Sequence, residues 1–195
     1  MNARAWMDSG TDLFLSVVDG LTDEALTHRT SLKGWTRAHV VAHVHYNAEA
    51  LRRLVEWAAT GEERRMYASS DQRRTEIESG ATLPGAELRA LVRRSAEDLR
   101  ADLAALPDLA WDHLVVTAQG RTIWAHEIPW LRAREVSVHA VDLAHGVTFA
   151  DLPREFLVEL VADAAAKHAS GDQVVPLAAW LTGRAEDAPR LGHWL

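Results

Sequence analysis

Cysteine is absent from this chain of 195 residues, and that absence excludes several kinds of site. Without a thiol, the protein contains no disulfide framework, no thiolate zinc site, no iron–sulfur cluster and no cysteine nucleophile. Ten histidines are present. Any metal centre must therefore use imidazole and carboxylate ligands, and any thiol chemistry must use a sulfur atom that another molecule supplies.

Long apolar runs are also missing. No segment approaches the ~18 consecutive apolar residues that a membrane span needs, and residues 1–6 lack the apolar stretch of a signal peptide. We therefore expect a cytoplasmic protein that has no membrane partner. Apolar residues make up 48% and charged residues 25% of the chain, which is the balance of an ordinary globular protein with its own core.

An excess of positive charge is missing as well. The 28 acidic and 21 basic side chains give a formal net charge of −7. This balance argues against a nucleic-acid partner, because the phosphates of nucleic acids need a basic surface. Three arginine pairs are interleaved with acidic residues, a pattern that is typical of solvated helix faces: Arg64-Arg65, Arg73-Arg74 and Arg93-Arg94.

Most of the sequence has the three- and four-residue apolar spacing of amphipathic helices. This spacing predicts five longer helices, at residues 3–19, 37–60, 84–107, 125–144 and 153–171, a short helix at 71–79 and an extended segment with a turn at 114–123. The first four of the longer helices indicate a mainly all-α fold, a four-helix bundle. We predict a bundle domain over residues 1–169 and a short appendage over residues 170–195 that packs on it.

Two of the predicted helices place metal-capable side chains four residues apart, on one helix face. One helix carries His39 and His43, and the other carries Glu135 and His139. The Glu-x-x-x-His pair and one facing histidine would form a site with two imidazoles and a carboxylate, which leaves coordination positions open for water or substrate. Spacing alone does not separate such a site from chance pairs of surface residues.

Three separated segments carry a family resemblance: GWTRAHVVAHVHYNAEAL (34–51), WAATGEERRMYAS (57–69) and VTAQGRTIWAHEIPWLRAREVSVHAVDL (116–143). All three are similar to segments of the mycothiol-dependent maleylpyruvate isomerases, which are DinB-like metal-binding four-helix bundles. The resemblance implies a divalent metal, usually zinc, that is held by His43, Glu135 and His139. It also implies mycothiol as the thiol cofactor.

The same resemblance suggests roles for other residues. Arg184 lies in a Leu-Thr-Gly-Arg segment that is similar to the family's C-terminal Gly-Arg, and we expect it to be a catalytic residue that holds a substrate carboxylate. Gln119 and Arg121 flank Gly120 just before the metal-bearing helix. There, a loop would close over an open coordination position, so both are candidate substrate-binding residues, although a plain tight turn explains them equally well.

The sequence does not fix the roles of two further residues near the predicted ligands. His39 is either a fourth ligand, a group beside the ligands, or a packed or capping histidine at the start of its helix. Asp142 follows His139 by three residues and is a candidate for the carboxylate that orients a ligand imidazole. The remaining histidines lack a partner at a useful spacing and are interpreted as scaffold or surface residues: His45, His113, His126, His145, His168 and His193.

The activity implied by the resemblance is the conversion of maleylpyruvate to fumarylpyruvate in gentisate-type aromatic catabolism. In this scheme a thiolate, ionised at the metal, adds to the carbon–carbon double bond, the resulting single bond rotates, and expulsion of the thiolate leaves the trans isomer. The implied partners are thus a small-molecule substrate and a low-molecular-weight thiol, and the oligomeric state is not readable from the sequence.

Two other functions stay open. One is a zinc-dependent S-transferase that joins mycothiol or another small thiol to a different electrophile. The other is a non-enzymatic bundle that keeps an unused site. Family members often carry a longer mixed α/β extension after the bundle, whereas about two dozen residues follow the fifth long helix here. If that extension helps to bind thiol or substrate, this chain would act on another electrophile or would complete its pocket with a second subunit.

Overall fold

A computed structural model describes residues 2–192. In chain order the elements are α1 (Ala3–Gly20), α2 (Asp23–Leu26), α3 (Arg37–Thr60), α4 (Ser70–Ala81), α5 (Gly85–Ala105), β1 (Leu114–Val116), β2 (Thr122–Trp124), α6 (Ile128–Asp142), α7 (Arg154–Ala169) and α8 (Val174–Leu181). The predicted all-α class is confirmed, with one small antiparallel hairpin in which Val115 pairs with Ile123. His193 lies outside the described residues.

The chain divides into two compact units after Thr148. The first unit holds α1 to α6 with the hairpin, and the second holds α7 and α8, which pack on each other. The sequence placed a domain boundary after residue 169 instead, and the packing of residues 170–195 on the bundle stays a prediction.

The first unit is a four-helix bundle built from α1, α3, α5 and α6. The helix α1 packs along α6, and α3 packs along α5 while it also contacts α4 and α6. Apolar side chains spaced three or four residues apart face the middle of the bundle, as the sequence pattern predicted. Fully buried members of this core include Phe14, Val18, Val40, Val41, Val44, Leu88, Val92 and Val136.

Two glycines allow helices to approach closely. A Cβ atom at Gly10 of α1 would lie 2.5 Å from the hydroxyl oxygen of Ser137 on α6. A Cβ atom at Gly80 of α4 would lie 2.9 Å from the Cβ atom of Ala42 on α3. Real Cβ atoms do not approach other atoms so closely. The helix α4 can therefore lie against the first half of α3 only because residue 80 has no side chain.

The long helices start within three residues of their predicted positions. Thr36 precedes α3 as its N-cap, and Pro129 occupies the first turn of α6, where its missing N–H leaves no hydrogen bond unmade. Pro84 lies one residue before α5 rather than in its first turn. The apolar stretch Leu177–Leu181 belongs to the helix α8, which the sequence analysis did not predict.

None of the helices in the described part of the chain combines the length and the apolar character of a membrane span.

Candidate metal centre

Three metal-capable side chains converge where α3 faces α6. His43 comes from α3, and Glu135 and His139 come from α6. Each offers a ligand atom, and these atoms all lie within 4.8 Å of one another. The Nε2 atom of His43 lies 3.1 Å from a carboxylate oxygen of Glu135, and the Nε2 atom of His139 lies 3.4 Å from the same oxygen. Both histidines are 4% exposed, so little of the cluster contacts bulk water.

Asp142 fixes the orientation of the His139 ring. A carboxylate oxygen of Asp142 lies 2.8 Å from Nδ1 of His139, so the contact that the sequence proposed for this pair is confirmed. The ring therefore donates its Nδ1 proton to Asp142 and turns Nε2 toward Glu135. This Nε2 atom is buried and has no hydrogen-bond partner of acceptable geometry. A buried, unpartnered imidazole nitrogen beside a carboxylate is the donor arrangement that a metal ion satisfies.

Burial and neighbouring charges shift the pKa values of all three clustered side chains. Burial alone would raise the pKa of Glu135, but the nearby rings of His139 and His43 favour the charged carboxylate and hold that pKa well below its ordinary value. Burial lowers the pKa of His43 to about 4 in spite of Glu135. Burial also opposes the charge on His139, yet Asp142 and Glu135 raise the pKa of this ring to about 9. The carboxylate is therefore anionic at neutral pH and favours a cation in the cluster.

Aromatic rings enclose one side of the cluster. The ring centroids of His43 and His139 are 4.9 Å apart in an edge-to-face arrangement. The indole of Trp35 lies 5.4 Å from the His43 ring, centroid to centroid. Trp35 precedes α3 by two residues, so the loop before the helix supplies a wall of the site.

His39 is a capping residue and is not part of the converging cluster. Its Nδ1 atom accepts a hydrogen bond from the backbone N–H of Thr36 at 3.2 Å and lies 2.7 Å from the Thr36 hydroxyl. Its Nε2 atom lies 3.3 Å from Glu78 of α4. Of the alternatives that the sequence left open, the capping histidine at the start of the helix is the one that the structure has.

The predicted substrate-binding residues lie on the hairpin. Gln119 and Arg121 are exposed in the turn between β1 and β2. The guanidinium of Arg121 lies 3.4 Å from the carboxylate of Glu127, just before α6. No contact joins Gln119 or Arg121 to the three clustered side chains within residues 2–192, so their binding role stays a prediction.

Arg184 lies in the second unit, three residues after α8 ends. Its side chain is exposed and donates to the carbonyl of Thr182, and its backbone N–H donates to the carbonyl of Ala179 at 2.7 Å. These local contacts give the Gly-Arg segment a defined turn. The catalytic role of Arg184 stays a prediction.

Two residues beside the cluster were not predicted from the sequence. Arg73 of α4 places its Nη2 atom 3.4 Å from Nδ1 of His43, although the Arg73-Arg74 pair had been interpreted as part of a solvated face. Tyr67, in the loop before α4, is close enough to Glu135 and Arg73 for their charges to act on its hydroxyl. The interpretation as a solvated face is correct for Arg74 and wrong for Arg73.

The fold and this cluster coincide with a known family. The sequence profile described as the mycothiol maleylpyruvate isomerase N-terminal domain matches residues 7–144. This chain belongs to that family. The matched range contains α3, α5, α6, most of α1 and the three clustered side chains. The family resemblance that the three sequence segments carry is therefore confirmed.

Solved structures agree with this assignment. The crystal structure of the mycothiol-dependent maleylpyruvate isomerase is 40% identical in sequence, with a TM-score of 0.84, and the alignment covers 86% of this chain and 70% of that one. A histidine-to-alanine variant of that isomerase gives the same values. YfiT from Bacillus subtilis is described as a probable metal-dependent hydrolase with an unusual four-helix bundle topology. It is 17% identical with a TM-score of 0.59 over 73% of this chain and 83% of its own, which establishes the shared fold alone. Curated proteins give no match.

Proposed function

We propose that this protein is an isomerase that converts maleylpyruvate to fumarylpyruvate with the help of a bound zinc ion and the thiol mycothiol. The observation that carries the proposal is the convergence of His43, Glu135 and His139 inside the region that matches the isomerase family. The 40% identity to an enzyme of that name supports the same substrate. A cytoplasmic location and a place in gentisate-type aromatic catabolism are further parts of the proposal.

The donor set of the cluster supports zinc as the metal. Two imidazoles and one carboxylate are ligand types of catalytic zinc sites, which keep positions open for water or substrate. The buried Nε2 atom of His139 lacks a hydrogen-bond partner, so a cation there would satisfy it. When bound, zinc would supply a Lewis acid that lets a coordinating thiol ionise near neutral pH.

Residues in and beside the cluster orient the ligand atoms and supply the negative charge that a zinc ion needs. Asp142 holds Nδ1 of His139, so Nε2 of that ring faces Glu135. Glu135 is anionic and offsets part of the charge of a divalent cation. Burial of the two histidines limits the access of water, which strengthens each charge interaction in the cluster.

The substrate needs cationic contacts, because maleylpyruvate carries two carboxylates at neutral pH. We include Arg184 in the proposal as the catalytic residue that holds one of them, and Gln119 and Arg121 as substrate-binding residues. Arg184→Ala should retain zinc and lose turnover. Unchanged turnover would remove Arg184 from the proposed mechanism.

The experiment is an isomerisation assay on protein that has been stripped of metal and reloaded with zinc. We expect fumarylpyruvate to form only when both zinc and mycothiol are present. Glu135→Ala should lose zinc and activity together, while Glu87→Ala, at an exposed position in the first turn of α5, should keep both. Product that forms equally well without zinc or without thiol would contradict the proposal, and a stable thiol adduct instead of fumarylpyruvate would identify an S-transferase.

A further inference from the structure

Arg73 is placed beside the metal cluster without a carboxylate partner. Its side chain is half-buried, and its Nη2 atom lies 3.4 Å from Nδ1 of His43. Within residues 2–192 no ion pair joins Arg73 to an acidic side chain. The next residue, Arg74, is exposed and pairs with Asp71 at 3.0 Å. Of two adjacent arginines, one is thus neutralised at the surface and the other faces the cluster with its charge uncompensated.

The position of Arg73 follows from how α4 is held. Ser69 caps this helix by accepting a hydrogen bond from the N–H of Gln72 at 3.1 Å. At the other end of the helix, Gly80 allows α4 to lie against Ala42 of α3, one residue before His43. Since both ends are fixed, the inward direction of Arg73 is set by helix packing and not by an ion pair.

Tyr67 lies on the same side of the cluster. The preceding residue, Met66, is buried, and its sulfur accepts a hydrogen bond from the N–H of Ala118 at 3.1 Å. The hydroxyl of Tyr67 donates to the carbonyl of Tyr46 at 3.4 Å. Burial raises the pKa of Tyr67 to about 12, so the hydroxyl keeps its proton and stays a hydrogen-bond donor. The single hydroxyl proton of Tyr67 is thus already donated to Tyr46, and Arg73 supplies the donors on this side of the cluster.

The contact between Arg73 and His43 depends on which nitrogen of the ring carries the proton. Arg73 can donate to Nδ1 only while that atom keeps its lone pair. If Nε2 of His43 binds a metal, the proton moves to Nδ1, and Nδ1 no longer accepts from Arg73. When a metal is bound, the N–H groups of Arg73 would therefore need an acceptor other than His43.

A carboxylate of the substrate fits this requirement. A divalent cation together with Arg73 outweighs the negative charges of Glu135 and Asp142, so the loaded site has an excess of positive charge. A guanidinium binds a carboxylate through two parallel hydrogen bonds, and such charge-assisted bonds are strong where water is excluded. We propose that Arg73 is a substrate-binding residue of the isomerase, which holds a carboxylate of maleylpyruvate next to the metal. This proposal rests on the proposed function.

The test separates substrate binding from metal binding. Maleylpyruvate is titrated calorimetrically, with no thiol present, into four zinc-loaded proteins: wild type, Arg73→Met, Arg73→Lys and the matched control Arg74→Met. The zinc content of each protein is also measured. We expect all four to hold zinc equally. Arg73→Met should bind maleylpyruvate at least about tenfold more weakly than wild type, Arg73→Lys should lie between the two, and Arg74→Met should match wild type.

Several outcomes would overturn this assignment. Zinc-loaded Arg73→Met that binds maleylpyruvate as tightly as wild type would contradict it. Loss of zinc from Arg73→Met would also contradict it, because Arg73 would then support His43 rather than hold the substrate. If wild type isomerises maleylpyruvate while Arg73→Met binds it normally, only the role of Arg73 fails. If zinc-loaded wild type neither binds nor isomerises maleylpyruvate, the proposed function fails and this assignment fails with it.

Discussion

The carboxylate of Asp142 lies 2.8 Å from Nδ1 of His139, one helical turn before it on α6. This contact fixes which nitrogen of His139 carries the proton, and it leaves Nε2 as the atom that faces Glu135. In metal sites such a carboxylate typically contributes between about tenfold and a hundredfold to metal affinity, because it orients the ring and makes it more basic.

We therefore expect Asp142→Ala to bind zinc at least about tenfold more weakly than wild type while the fold is retained. The measurement is a competition titration against a chromophoric chelator. The matched control is Glu78→Ala, which removes a carboxylate that contacts His39, a histidine outside the cluster. Equal zinc affinities for Asp142→Ala and wild type would show that Asp142 does not support the ligand.

His39 and His43 are one turn apart on α3 but have different roles, and their alanine variants should separate these roles. His43→Ala should lose the metal. His39→Ala should keep it and lose only its cap on Thr36, which costs about 1 kcal/mol of unfolding free energy. Zinc content and urea denaturation measure the two effects. Loss of zinc from His39→Ala would make His39 a fourth ligand after all.

Arg132 joins the two helices that carry the cluster. It is 1% exposed, and its Nη1 atom donates to the carbonyl of Val44 at 2.7 Å and to the side chain of Asn47 at 2.8 Å. Arg132→Met would remove both of these hydrogen bonds and leave the buried side-chain oxygen of Asn47 without its donor, so we expect the unfolding free energy to fall by about 3 kcal/mol. Urea denaturation measures it, with the exposed Arg94→Met as control. A decrease no larger than that of the control would contradict this account.

Tyr67 gives a prediction at high pH. Because its folded-state pKa of about 12 lies above its ordinary value of 10.0, the folded protein keeps the phenolic proton to higher pH than the unfolded chain. The corresponding contribution to stability is present below pH 10 and is lost as the pH rises toward 12. The chain has two tyrosines, and burial also raises the pKa of the other, Tyr46.

A spectrophotometric titration of tyrosinate checks this prediction. Folded wild type should show a tyrosine ionisation well above pH 10, and Tyr67→Phe should lack that step. A wild-type tyrosine that ionises near pH 10 while the protein is still folded, and that is absent in Tyr67→Phe, would place Tyr67 in contact with water and contradict its enclosed position.

Much of the site could be predicted because its residues follow local rules. The four-residue spacing of Glu135 and His139 places both on one helix face whatever the rest of the chain does. The choice of His43 over His39 needed the family resemblance, since the two histidines are four residues apart on the same face of α3. The structure explains the difference, because His39 is used by the N-terminus of the helix.

Arg73 could not be predicted, because its direction depends on a contact that is distant in sequence. Its neighbours are polar and charged, so the local pattern of α4 favours a solvated helix. Only the approach of Gly80 to Ala42 turns one of the two arginines toward His43. The helix α8 was missed for a different reason: eight residues are too few to display a clear helical period, and Pro176 interrupts them.

The central claim is that mycothiol meets a zinc ion held by His43, Glu135 and His139. X-ray absorption spectroscopy at the zinc edge tests it most directly, on loaded wild type before and after mycothiol is added. We predict only nitrogen and oxygen neighbours before addition, and a new sulfur neighbour at about 2.3 Å afterwards. The chain contains no cysteine, so this sulfur can only come from the added thiol or from a methionine. A spectrum that is unchanged by saturating mycothiol would contradict the account.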